Sequence, residues 1–405
     1  MKKTPQVAFV TTLQPETHYS RYLIRALEEQ LEGRTTFLVY ADKNPENKLL
    51  PFKNVRLVWT PTFLFPFQIA RQVLRDRPDV VHLQHEINMY GGPFTAIFFP
   101  FLLLLLRFAG TQSIVTIHSI VSSNQIDADF MRTFLWPPYH FLVLAVRLAF
   151  SFLYRSIARF AAKVIVHSRH MGSLLEEHYG IPSEKVAVIP IGVPAPKIAP
   201  DNWISSNHSW GTLFEGEKII LYFGYIIRRK GLEYLIEAFQ EIQARFPDYL
   251  LVLAGGELDY QREYARSLRE DVKNRGLASR ILFTSFISGK EIERLFARCE
   301  FVVLPYTYSI SSSLPLSFAM QYGKPVIATR LGTLAEEVED GVTGLLVPAR
   351  DSAALSEAMQ RLITDELLLR RLGEGARERG QQRSWAGVAS QTIQVYRALC
   401  SGFAA

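Results

Sequence analysis

The chain has two cysteines in 405 residues, Cys299 and Cys400. Two thiols cannot build a disulfide framework or a cysteine-rich metal site, so a reducing, cytosolic setting is expected. No H-E-x-x-H pattern occurs, and a lone histidine-glutamate pair, His85-Glu86, offers too few ligands for zinc. No Asp-x-Asp motif is taken as a metal site, and no metal is expected. Long apolar runs are missing too. The greasiest stretch, "FTAIFFPFLLLLL" at 94–106, holds Pro100 and falls short of the about 20 residues a membrane span needs, so it reads as a buried helix. The opening "MKKTPQVAFVTTLQ" has too short an apolar run for a secretory signal and reads as a first buried strand. Acid is absent between Phe130 and Met171, where six Lys/Arg occur. The net charge of +6 sits in residues 1–193, with 20 basic against 14 acidic residues, whereas 194–405 balance at 25 and 25. Basic and apolar together point to a membrane surface more than to nucleic acid.

What is present is a regular alternation. "QVAFVTT", "TTFLVY", "VRLVW", "PDVVHLQHE", "QSIVTIHSI", "KVIVHS" and "KVAVIPIGV" read as short buried strands, with helical patterns such as "YSRYLIRALEEQLEG" and "RHMGSLLEEHYG" between them. "KIILYFG", "YLLVLAGG", "RILFTSF", "FVVLPY", "KPVIAT" and "GLLVP" repeat the rhythm in the second half. Short, fully apolar strands between helices indicate an α/β chain with parallel sheets covered on both faces. The expected fold is two Rossmann-like, doubly wound domains facing a central cleft, where open α/β sheets bind ligands. Their bounds are set at 1–195 and 218–385, with a linker over 196–217 rich in Pro, Ser and Asn. A helix over 386–405 is expected to return to the first domain.

Three cations, Arg228, Arg229 and Lys230, stand where "KIILYFG" hands over to the helical "LEYLIEAFQEI". Cations at a helix start oppose its dipole, so an anionic ligand, a phosphate first of all, explains them better than a solvated first turn does. A second anion cradle is Ser311, Ser312 and Ser313 before Leu314 and Pro315, a helix start closed by Gly323. In the first half, His85, Glu86, Gly91 and Gly92 follow one strand and His118 closes another, at the carboxyl edge of the sheet. Gly91 and Gly92 would let backbone approach a ligand. Each histidine has a structural reading as well, and Glu86 either orients a hydroxyl or pairs with a neighbouring cation.

In order and spacing, "FGYIIRRKGLEYLIEAF", "LAGG", "FVVLPY", "GKPVIATRLGTLAEEVEDGVTGLLVP" and "SWAGVASQTIQVYRAL" resemble the retaining GT-B glycosyltransferases of the group 1 class, family 4. "DVVHLQHEINMYGG", "VTIHSI" and "KVIVHS" match that class more loosely. The resemblance implies transfer of a sugar from a nucleotide-sugar, with retention and without a metal or other cofactor. It gives Lys230 to the diphosphate. Tyr225 stands just after the strand's Gly224, where a companion arginine is common, so Arg228 or Arg229 must serve. It gives the serine turn through Leu314 to the donor, Phe286 and Ile287 to the base through their backbone, and His118 to the transferred sugar. Glu86 is grouped with His118 in the catalytic set, and His85, Gly91 and Gly92 on the acceptor side. The chain departs from its relatives at Ile310 and Phe318, where many carry two glutamates that grip sugar and ribose. A degenerate protein that binds nucleotide or glycan without turnover is therefore the alternative, and a nucleotide-sugar epimerase a more distant one.

The expected acceptor is a glycan or lipid-linked sugar in cell-envelope or extracellular polysaccharide synthesis, met on the inner face of the cytoplasmic membrane. Docking there is read from "FLWPPYHFLVLAVRLAFSFLYRSIARFAAK", which places Arg147, Arg155, Arg159 and Lys163 within half of a helical wheel. Trp136, Tyr139, Phe141, Phe152 and Tyr154 are its interfacial aromatics, and an anionic leaflet is the expected partner. The rival reading is a core helix whose arginines face water.

Overall fold

The computed structural model describes residues 4–13, 19–31, 34–45, 47, 52, 54–134, 142–195 and 216–400. Most of the expected linker lies outside them, as do Trp136, Tyr139 and Phe141. The chain divides into two compact units: the first runs to Gly192 and takes in Ile310–Ser312 and the segment from Trp385, and the second holds Val193–Ser309 and Ser313–Ser384.

The first unit is built on seven strands, β1 (Gln6–Val10), β2 (Thr36–Asp42), β3 (Val55–Trp59), β4 (Val80–His85), β5 (Gln112–Ile117), β6 (Lys163–Val166) and β7 (Val186–Val188). Their order is β3-β2-β1-β4-β5-β6-β7, every pair parallel. Both faces are covered, which is why most of these strands read as short, mainly apolar runs. On one face Val10, Leu83, Val115 and Val166 pack under the helices Phe65–Asp76, Phe99–Phe108 and Val143–Phe160. On the other, Phe9, Val39, Ile114 and Ile165 meet the helices Tyr19–Gln30 and Trp385–Leu399. Trp385 stacks on Tyr22 at 5.3 Å, and a Cβ on Gly192 would lie 2.5 Å from its ring. Gln30 ties the two helices together through Ala386 O at 2.6 Å and Ser390 Oγ at 3.0 Å.

Three expectations for this unit need correction. The 94–106 run is not a single buried helix: Pro93–Ala96 and Phe99–Phe108 are separate, and Phe94 is 83% exposed while Leu102, Leu103 and Leu106 are buried. Composition suggested burial all round, whereas only one stripe of the helix faces the sheet. Lys163 is not on the basic helix; it opens β6 and its ammonium donates to Glu184 O at 2.5 Å. Tyr154 is no interfacial aromatic, being fully buried with its hydroxyl on Ser119 O at 3.0 Å.

The second unit holds β8 (Lys218–Phe223), β9 (Tyr249–Ala254), β10 (Ile281–Phe283), β11 (Phe301–Leu304), β12 (Val326–Thr329) and β13 (Gly344–Val347). They form a parallel sheet in the order β10-β9-β8-β11-β12-β13. The order reverses beside β8, the strand that leads into the three cations. Each unit thus has the doubly wound parallel architecture that the alternation indicated.

Candidate functional site

The cation corner of the second unit is fixed by backbone before any side chain is considered. Gly224, at φ 144°, donates to Ala254 O at 2.9 Å. A Cβ on Gly255 would lie 2.0 Å from Gly224 O, so the β8 and β9 ends touch as only glycine permits. Arg228–Lys230 then make one 3-10 turn, and Gly231 at φ 63° turns the chain into the Leu232–Arg245 helix. A Cβ there would lie 2.1 Å from Pro305 O.

This geometry sorts the three cations. Arg228 is exposed, its guanidinium 4.9 Å over the Tyr264 ring. Arg229 is half-buried, and its carbonyl accepts from Thr307 N at 2.9 Å. Lys230 is 8% exposed, with its ammonium 3.3 Å from the Tyr306 ring centroid and no carboxylate in ion-pair reach among the described residues. Burial, and then the charge of Arg229, hold the Lys230 ammonium well below the ordinary lysine range. A cation–π contact gives about 2 kcal/mol when desolvated, against several kcal/mol for burying an ion. Lys230 is therefore under-compensated, and an anion beside it and Arg229 would correct the imbalance.

Tyr306 continues the cluster, its hydroxyl 3.3 Å from Ser313 Oγ and its carbonyl accepting from Thr329 Oγ1 at 2.8 Å. Ser313 holds the cap position of the Leu314–Gln321 helix, with Pro315 in the first turn, yet its side chain caps no amide. Ser311 and Ser312 group with the first unit instead, where Ser311 bridges to Ser119 and Ile120 N donates to Ile310 O at 2.8 Å. Ser312 Oγ is buried without a hydrogen-bond partner. Phe318 stacks on Phe296 at 5.3 Å inside the core and presents nothing polar. Phe286 is 69% exposed beside Gly256, whereas Ile287 is buried.

In the first unit the sequence-derived candidates separate. His118 is half-buried at the end of β5, its Nε2 2.8 Å from Gln84 Oε1 and its Nδ1 3.0 Å from His167 Nε2. His85 is not on the surface: its ring is fully buried 4.5 Å from Phe99, both nitrogens lack partners, and burial pushes its pKa down to about 4. Glu86 is exposed. Gly91 spends its freedom within the chain, since a Cβ would lie 2.4 Å from Pro61 O, whereas Gly92 opens onto free space. The sequence does contain one Asp-x-Asp spacing, Asp127-Ala128-Asp129, but Asp127 Oδ1 accepts from Phe130 N at 2.8 Å and so caps its own helix. Sequence reasoning missed His167, Gln84 and Tyr306. The first closes "KVIVH" as His118 closes "VTIH", and that parallel was a usable signal.

Residues 18–195 match the family model for Glycosyltransferase Family 4, and residues 206–379 match that for Glycosyl transferases group 1. Each half of the chain thus matches a glycosyltransferase family model, and its two parallel-sheet units match structures of the GT-B type. Among curated proteins it is 29% identical over 239 residues to a D-inositol 3-phosphate glycosyltransferase of Pseudarthrobacter chlorophenolicus, covering 59% of this chain and 56% of that one. It is 31% identical over 182 residues to the alpha-D-kanosaminyltransferase of Streptomyces kanamyceticus, covering 45% and 46%. The chain spans just over half the length of the first curated relatives it matches. Among solved structures, sucrose-phosphate synthase of Thermosynechococcus elongatus superposes with a TM-score of 0.74 at 22% identity over 98% of this chain and 99% of that one. Anabaena HepE in complex with UDP and glucose gives 0.72 at 19% identity over 97% and 100%.

Proposed function

We propose that the protein is a glycosyltransferase that moves a sugar from a nucleoside-diphosphate donor to an acceptor hydroxyl with retention of configuration. The observation that carries this reading is the buried, carboxylate-free ammonium of Lys230 beside Arg229, at the strand-to-helix corner of a group 1 domain. In the transfer the bond from the anomeric carbon to the diphosphate oxygen breaks and a bond to the acceptor oxygen forms. The acceptor's proton leaves towards the diphosphate. Negative charge builds on the leaving diphosphate, and fixed cations in a dry site stabilise that charge without a metal. Lys230 and Arg229 have this role, with Arg228 at the rim, and His118 lies towards the transferred sugar. Relatives described as glycosyltransferases and a HepE complex with UDP and glucose support the same donor class. Incubation with a panel of nucleotide-sugars, following release of nucleoside diphosphate, tests it. Absence of release with every donor and acceptor, together with nucleotide binding, would favour the non-catalytic reading, which the apolar Phe318 supports.

The proposed acceptor is lipid-linked, within envelope or extracellular polysaccharide synthesis, and the proposed location is the inner face of the cytoplasmic membrane. No helix among the described residues is long and apolar enough to cross a membrane. Support for docking comes from exposed apolar side chains on adjacent helices of the first unit, including Phe67, Phe94, Phe101, Leu144 and Leu148. Phe67 and Phe101 touch at 5.2 Å although both are exposed. Each aromatic withdrawn from water contributes about 1.5–3 kcal/mol, and Arg155 and Arg159 on the same surface helix suit an anionic leaflet.

A further inference from the structure

The core of the first unit holds a line of polar groups whose proton order can be worked out atom by atom. It starts at the Ile189 carbonyl, which can only accept. His167 Nδ1, 3.0 Å away, therefore carries a proton. The His167 ring is 2% exposed, and burial lowers its pKa to about 4, so it is neutral near pH 7 and its Nε2 is a bare lone pair. That lone pair lies 3.0 Å from Nδ1 of His118, which must donate to it.

The other side of His118 is different in kind. Its Nε2 lies 2.8 Å from Gln84 Oε1, and the Gln84 amide nitrogen lies 3.1 Å from His82 Nε2. An amide presents an acceptor at one end and a donor at the other, so it serves either state of its neighbour. With the oxygen towards His118, Nε2 carries a second proton and the ring is an imidazolium. With the amide turned over, its N–H donates to a lone pair on Nε2 and the ring is neutral. In that state the amide oxygen and Thr116 Oγ1, 2.7 Å from His82 Nε2, share its proton, and His82 Nδ1 accepts from the Tyr396 hydroxyl at 2.7 Å. Tyr19 lies at 4.9 Å from both the His118 and the His167 rings, and burial raises its hydroxyl pKa, so it stays neutral.

We propose that His167 is a positioning residue for His118: it pins a proton on Nδ1, so that Nε2, facing the two-way amide of Gln84, is the ring nitrogen at which His118 gains, loses or lends a proton. The relevance to transfer rests on the reading of His118 as a site residue; the hydrogen-bond order does not.

Nitrogen NMR of the full chain with 15N-labelled histidine rings tests the proposal, with His118 identified by the signal lost in His118→Gln. At neutral pH the expected pattern is a protonated Nδ1, whatever the state of Nε2. A wild-type His118 with a bare Nδ1 and a protonated Nε2 overturns the proposal without any further variant. In His167→Leu the Nδ1 preference is expected to disappear, and His167→Gln, whose side-chain oxygen also accepts, is expected to restore it. A folded His167→Leu protein with an unchanged His118 pattern likewise overturns it. No sugar nucleotide enters the measurement, so an inactive protein with the expected pattern would refute the transferase reading alone.

Discussion

Replacing Lys230 by methionine separates what this residue does for the fold from what it does for a ligand. Methionine keeps much of the volume and removes the charge. Lys230 is 8% exposed, its ammonium lies on the Tyr306 ring, and the charge of Arg229 adds to the cost of burying it. The attraction lost to the ring is about 2 kcal/mol, less than the several kcal/mol that burial of an uncompensated ion costs. Lys230→Met is therefore expected to melt at or above the wild-type temperature. The sign of its pH dependence follows from the same imbalance. The folded-state pKa lies below the unfolded value of 10.5, so between the two the unfolded chain binds the extra proton and wild-type stability rises with pH. The advantage of the variant should be greatest below the lowered lysine value and close towards pH 10.5. Ligand binding should move the other way. Loss of charge-assisted phosphate contacts of about 1.5–3 kcal/mol weakens UDP or GDP about 10- to 150-fold. Wild-type affinity should fall as pH rises through the lowered lysine value. Scanning calorimetry and titration calorimetry read the two effects separately. A variant that is destabilised yet binds both nucleotides as wild type does would refute the argument.

Gly231→Ala must place a methyl 2.1 Å from Pro305 O at φ 63°, so it should cost at least the about 1–2 kcal/mol of a left-handed alanine, seen as a lower melting temperature, and weaken UDP binding by displacing the corner. Arg383→Met removes the guanidinium 3.1 Å from Glu337 in a pair 11% and 6% exposed, and chemical denaturation should show a loss of about 3–5 kcal/mol. Phe67→Ser with Phe101→Ser removes two touching exposed rings, so flotation with anionic liposomes should fall about 10-fold or more while the melting temperature holds; equal flotation would exclude this surface.

The strands were legible because most are buried on both faces and therefore appear as short apolar runs between helical patterns; the edge strands Val55–Trp59 and Val186–Val188 are only partly buried. The cation corner was legible for a different reason: three adjacent cations beside a glycine at a helix start oppose its dipole and call for an anion. What stayed hidden depends on partners distant in sequence. Gln84 meets His118 because β4 and β5 pair with His85 opposite Ile117, and His167 arrives from the next strand over. Nothing in "HLQHE" distinguishes Gln84, which joins the line, from His85, which is sealed under Phe99. The outer stripe of Phe99–Phe108 was hidden for the opposite reason. A helix apolar but for Arg107 in its last turn carries little periodic mark of its exposed face, and the neighbouring helices decide it.

The path of the chain between its two units sets an order of assembly. The second unit is complete in the sequence by Ser384, but the first still lacks the helix that brings Trp385, Ile393 and Tyr396 into its core. Domains usually become foldable in the order in which they leave the ribosome. Here the half synthesised first is finished last. Until residues 385–399 emerge, the nascent first unit must wait with Tyr19, Tyr22 and the Gly192 notch uncovered. A nascent chain that has released Ser384 but not yet residues 385–399 would carry a finished second unit tethered to an unfinished first one.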